Sequence, residues 1–264
     1  MSPISSARGT RTLFAGLYGE LTPRLGLPEL AMDAYGLFYG RSVALGWLTE
    51  AREGASGGLW GMNDAEVSFG SGQLPRRVAF FQVVLTEPTP DSLLPVQAFL
   101  ACAGDTVARL GDLRLSAVQL LLPRRGPPEA GIVRSKTGAR VSRPLVKSLI
   151  WFGDGDARVP VRVTLDGGTD PSVHDAADKI FHWAREIQQD VFVADSLSLD
   201  EGHLVLDQPP LDPPEMVYAH HRITLKGMLA EWSLDALGWL ASFLADGSTR
   251  NGVGGSLLLS ADRD

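Results

Sequence analysis

Three times along the chain, a run rich in β-branched and aromatic residues is followed by a helical period with its own start signal, and then by a second apolar run. In the first copy, residues 78–86 (VAFFQVVLT) read as a strand, with Thr89 and Pro90 supplying an N-cap and a first-turn proline. Phe99, Leu100, Ala103, Val107 and Leu110 then recur at helical spacing, and residues 113–122 return as a strand. The second copy runs from 159–165 (VPVRVTL) through Asp170 as cap and Pro171 as first helical residue. Its helix turns Val173, Ala176, Ala177, Ile180, Ala184 and Ile187 to one side, and 191–197 closes it. In the third, 221–229 alternates apolar with polar side chains, and Ser233 caps a helix with Leu234, Leu237, Leu240, Ala241 and Leu244 inward. Gly247 sits where a helix stop is expected, and 256–260 (SLLLS) returns.

An extra strand precedes each copy, at 59–69, 145–152 and 204–206. The fold class is therefore α+β: three β-β-α-β, ferredoxin-like units forming a mainly antiparallel sheet with helices packed on it. A unit that lays one helix on a sheet buries one sheet face, so neighbouring units must extend a common sheet or pack back to back. A helix at 28–37 and a strand at 41–47 stand outside the scheme as an N-terminal addition. Pro209, Pro210, Pro213 and Pro214 make a stiff spacer before the last unit.

Charge divides the same chain differently. Residues 124–147 (RRGPPEAGIVRSKTGARVSRPLVK) carry seven basic side chains and one acidic, a net +6 in a chain of −7, so the other 240 residues carry −13. Gly126, Pro127, Pro128, Gly131, Gly138 and Pro144 forbid a long helix, and the stretch reads as a basic loop that projects toward an anionic partner. The organisation expected is an N-terminal α+β half (1–123, net −2) with the first unit, the basic loop or linker (124–147), and an acidic C-terminal half (148–264, net −11) with the second and third. Candidate partner contacts are Arg124, Arg125, Arg134, Lys136, Arg140 and Arg143, continued by Lys147. Nucleic acid is not the expected partner, because the rest of the chain repels a phosphate polymer and no aromatic interleaves with the basic residues. The sign reversal is equally able to hold the loop against the chain's own acidic half.

The chain is 264 residues long and 44% apolar, enough for a sizeable core, and its single cysteine, Cys102, has no partner within it. That usage points to a reducing compartment, with the cytoplasm as the default. The apolar patch at 13–17 is interrupted by Gly16, and no run approaches the roughly eighteen apolar residues of a membrane span. There is no G-x-x-x-x-G-K-[ST], no G-x-G-x-x-G after a strand, no G-x-S-x-G and no H-E-x-x-H. Gly167 and Gly168 read as a strand-to-helix turn, and GDGDAR at 153–158 as a hairpin turn. No cofactor or metal is expected.

His174, Asp178 and His182, spaced by four, form a stripe along the second helix that reads as its solvated face. His220 and His221 open the third unit's first strand, and the pleat sends them to opposite faces, which makes them the candidate acid–base residues. Cys102 is placed on the polar flank of the first helix, near Asp105 and Arg109. Trp239 and Phe243 project from the third helix opposite its core stripe, so the helix is buried on both sides, by the N-terminal addition or by a partner. The function expected is a non-catalytic intracellular interaction module: an adaptor, assembly chaperone, or inhibitor or immunity-type binder. Its partner is another protein or a second copy of the chain, met through the basic loop and the Trp239 and Phe243 surface. The alternative is a small-molecule enzyme with His220 or His221 as acid or base and a loop carboxylate orienting it.

Overall fold

The computed structural model describes residues 11–24, 33–49, 57–69, 76–86, 93–123, 132–134, 138–152, 158–187, 189–199, 206 and 221–264. The first half contains β1 (Thr12–Pro23), α1 (Ala34–Ala44), β2 (Trp60–Val67), β3 (Arg77–Leu85), α2 (Val96–Leu110) and β4 (Gly111–Leu122). A short pair, β5 (Ile132–Arg134) and β6 (Arg140–Ser142), leads into α3 (Arg143–Ser148) and a 3-10 turn at Leu149–Trp151. The second half contains β7 (Val159–Asp166), α4 (Ser172–Asp175), α5 (Ala177–Glu186), β8 (Phe192–Leu199), β9 (Arg222–Leu229), α6 (Leu234–Arg250) and β10 (Leu257–Arg263).

Eight strands form one antiparallel sheet in the order β2-β3-β1-β4-β10-β7-β9-β8. Read outward from the β4–β10 seam, the two sides carry the same connectivity: fourth strand, first, third, second. The three-unit grouping expected from the pattern is not what the sheet builds. Each expected unit is split by a strand from outside it: β1 lies between β3 and β4, β9 between β7 and β8, and β7 between β9 and β10. Two β-α-β-β-α-β halves result, joined where Leu257, Leu259 and Ala261 face Leu122, Leu120 and Val118 across the seam.

Three local expectations also change. Residues 41–47 do not make a strand: α1 runs through Ala44, and Asp33, which accepts a hydrogen bond from Gly36 N at 2.7 Å, starts it. Residues 145–151 are helical rather than a strand, because Ser142 stands before a proline in the first turn of α3 and Leu145 and Leu149 then share a face. The glycines around residue 16 do not end an apolar patch but sit inside β1. Gly19 has φ +150° at a bulge opposite β4, where a Cβ would lie 2.0 Å from the Arg114 carbonyl oxygen, so only glycine fits. The strand at 204–206 and the proline spacer lie outside the described residues, apart from Leu206.

Alternation sorts the sheet's two faces. Val161, Val163 and Leu165 of β7, Ile223 and Leu225 of β9, and Leu13, Ala15 and Leu17 of β1 join one core cluster with Phe38 of α1, Phe99 of α2, Ile180 of α5 and Leu240 of α6. The helices therefore stand on one face. On the other face, Phe14, Phe80, Leu121 and Leu258 make a small cluster beside a polar set. In that set Thr164 and Thr224 share a hydrogen bond of 3.0 Å, Tyr18 Oη donates to Gln119 at 3.2 Å, and Arg222 pairs with Asp166 at 2.7 Å. Second helices α2 and α6 cross closely at glycines: a Cβ on Gly238 would lie 2.9 Å from Gln97 Cα, and one on Gly104 would lie 2.9 Å from Leu234. No helix of the described residues is long and apolar enough to cross a membrane.

Candidate functional site

The basic stretch is where sequence and structure differ most usefully. Its second part, 138–147, does not project from the body but is docked on α6. Val141 and Leu145 are buried in the main core, and two indoles tie the segment's backbone down: Trp183 Nε1 donates to Arg140 O at 2.8 Å and Trp239 Nε1 to Leu145 O at 3.2 Å. A buried ion pair completes the attachment. Asp246 and Arg250, one turn apart on α6, have 0% and 9% of their side chains exposed. The Asp246 carboxylate accepts from Arg250 Nε at 3.0 Å and Nη2 at 3.1 Å, from Ser142 N at 3.1 Å and from Ser142 Oγ at 2.9 Å. Charged groups with this little solvent are tolerated only when their hydrogen-bonding capacity is filled, and here Ser142 supplies what Arg250 leaves open.

The segment thus carries its own clasp, but its arginines are not part of it. Arg134, Arg140, Arg143 and Lys147 are exposed. Arg124, Arg125 and Lys136 lie outside the described residues. What results is a basic surface on a backbone fixed by buried hydrogen bonds, in a chain whose remainder is acidic.

Trp239 and Phe243 are not a surface. They are 1% and 0% exposed and form a stack with Trp183, with centroid separations of 4.6 Å for Trp239–Phe243 and 4.4 Å for Trp183–Phe243. The cover comes from α5 and the 138–147 segment, neither of which is the N-terminal addition expected to provide it. From Ala236 to Ser248 every residue of α6 is buried, so Gly247 is a packing position rather than a stop, with the Trp183 ring 2.4 Å from where its Cβ would be.

Cys102 is likewise interior. Its thiol faces Ser42 Oγ at 3.6 Å and Phe38 O at 3.8 Å, while Arg41 and Asp105 pair outside it at 2.6 Å. Burial pushes the thiol pKa up to about 11, against which the Ser42 contact acts in the lowering direction. Burial thus disfavours the thiolate form of Cys102 at neutral pH.

Among the histidines, the structure makes one pairing the sequence does not show. The helix expected to carry His174, Asp178 and His182 breaks at Ala176, which sends His174 of α4 toward His221 at the entry of β9; the rings stand 6.4 Å apart, centroid to centroid, at 69°. His221 is pinned through its backbone, Gly167 N donating to His221 O at 3.1 Å. Asp166 and Asp170 are turned to local work: Asp166 accepts from Gly168 N at 2.7 Å, and Asp170 accepts from Ser172 N at 2.9 Å. Among the described residues no carboxylate hydrogen-bonds either imidazole, so the orienting partner of an acid–base pair is not found there. His182 is exposed on α5, and His220 lies outside the described residues.

The Ser142–Asp246–Arg250 clasp escaped the sequence reading, although an Asp and an Arg four apart at the end of a mainly apolar helix were its visible sign. Compared with known proteins, the chain matches no family model, no curated protein and no solved structure.

Proposed function

We propose that the protein is a non-catalytic interaction module that binds an acidic surface of another protein through Arg134, Arg140, Arg143 and Lys147. In this reading its two halves are ferredoxin-like repeats serving as a scaffold, and it works in the cytoplasm, where a single thiol stays reduced. The observation that carries the proposal is the combination of exposed cations with a clasped backbone. A charged surface on a loose loop loses conformational entropy on binding, whereas one already held by buried hydrogen bonds loses less. Four same-sign side chains on an otherwise acidic molecule also steer encounter, so partner and orientation are selected by charge.

The test is a charge reversal that leaves the clasp intact: Arg134→Glu, Arg140→Glu and Arg143→Glu together, compared with the unaltered chain by quantitative mass spectrometry of what co-purifies from the native host. Binding of the purified partner is then measured at low and high salt. Expected is one acidic protein lost with the triple variant, its affinity for the unaltered chain falling as salt rises. The same partner at the same occupancy for both chains refutes the proposal.

A further inference from the structure

We propose that His174 and His221 form a binding site for a divalent transition-metal ion of the zinc and copper class, separate from the basic surface. Two imidazoles are brought from different elements, α4 and the start of β9, to a centroid separation of 6.4 Å. Neither makes a hydrogen bond among the described residues, and both are partly buried, so their ring nitrogens are not committed elsewhere in that set. The backbone positions are firm: Val173 and Ile223, which flank the pair, are fully buried, and the Gly167–His221 hydrogen bond ties the turn before α4 to the entry of β9.

The separation fits the chemistry. With the ion about 2.1 Å from a nitrogen of each ring, each ring centre lies about 3.2 Å from it, so rings on one tetrahedral ion have centres roughly 5 Å apart and rings on opposite sides of an ion roughly 6.4 Å. The observed 6.4 Å is the trans spacing, as on a square-planar or octahedral ion such as copper(II) or nickel(II), and a tetrahedral ion would draw the two rings about 1 Å closer. Imidazole is a ligand for zinc, copper and nickel rather than for calcium or magnesium, which take oxygen. No third His, Cys, Asp or Glu completes a group among the described residues, so water fills the remaining positions and the site is a two-ligand one. A bound ion would bridge α4 to β9 and link the first helical segment of the C-terminal half to the sheet beneath it.

The experiment uses the full chain freed of metal with a chelator. Zinc is titrated by calorimetry, and copper(II) is added as a spectroscopic reporter whose resonance signal counts coordinated nitrogens. Expected are one ion per chain, two nitrogen ligands on copper, and an affinity that falls about ten-fold or more in His174→Ala and in His221→Ala. The exposed-helix control His182→Ala should leave affinity unchanged. Circular dichroism confirms that each variant is folded, and His221→Gln, which keeps volume and polarity, repeats the test if the alanine variant is not. A wild-type affinity weaker than about 1 mM, or binding that survives loss of both imidazoles, overturns the proposal.

Discussion

Replacing Asp246 by alanine removes one carboxylate and strands three groups. The Arg250 guanidinium, on a side chain only 9% exposed, loses its counter-ion, and the N–H and hydroxyl of Ser142 lose their acceptor. Breaking a buried pair from one side costs about 3 to 5 kcal/mol, and each neutral group left unsatisfied about 1 to 3 kcal/mol more. These terms overlap, since the stranded groups can turn to one another: Arg250 Nη2 already donates to Ser142 Oγ at 3.1 Å. A net loss of about 4 to 5 kcal/mol is expected, a large part of the 5 to 15 kcal/mol that usually holds a domain together. Denaturant unfolding followed by tryptophan fluorescence reports it directly, because Trp183 and Trp239 both bond to the clasped segment. The decisive comparison is the double variant Asp246→Leu with Arg250→Met, which removes both charges and leaves apolar bulk. It should lose much less than the sum of the single changes. A single-variant loss under about 1 kcal/mol, or a double variant that loses the full sum, refutes the view that this pair is a desolvated clasp.

Trp239→Ser with Phe243→Ser should unfold the chain rather than dissolve an oligomer, each truncation costing about 3 to 5 kcal/mol; light scattering on a folded double variant would contradict it. Gly247→Ala should destabilise by about 1 to 2 kcal/mol in thermal unfolding, since overpacking against the Trp183 ring exceeds the gain in helix propensity of about 1 kcal/mol. Gly40→Ala on α1, where a Cβ meets nothing within 4 Å, should instead gain up to about 1 kcal/mol. Cys102 holds its proton up to about pH 11 in the folded chain but releases it from about pH 9 when unfolded. Stability should therefore fall between those values, more steeply than in Cys102→Ala, and native protein at pH 8 should resist a thiol reagent.

The elements of the fold were legible where period and cap agree. Strands β3, β4, β7, β8, β9 and β10 fall within a few residues of their expected bounds, and Ser233 caps α6 through the bond from Ala236 N at 3.1 Å. Their neighbours were not legible, because period 2 says which face a residue takes and nothing about which strand lies beside it. The partner of β4 across the seam is β10, nearly 140 residues away, and two runs of leucine and alanine meet there with no side-chain signature to name one another. β1 was missed because its glycines read as punctuation, when one of them is required by a bulge. Of the candidate site, the charge run was visible and its attachment was not, since the clasp depends on Ser142 and Asp246, separated by 104 positions.

Why α6 is buried all round follows from the same attachment. In the first half α2 occupies the equivalent place between third and fourth strands, and Asp105, Ala108 and Arg109 on its outer side remain exposed. Nothing comparable to the 138–147 segment precedes α2 in the described first half, so its sequence keeps a polar flank. In the second half the segment between the two halves folds back over α6, and Trp239, Phe243 and the Asp246–Arg250 pair are the residues that a helix needs when its outer side is also interior. The basic surface and the C-terminal core are therefore one structural unit: a change that loosens the clasp displaces the exposed cations and uncovers the aromatic stack together. Under the proposed function, partner affinity should accordingly fall with Asp246→Ala even though no exposed charge has been altered. Should binding persist unchanged while that variant is measurably destabilised, the surface would be independent of its anchor, and the argument from a rigid backbone would fail.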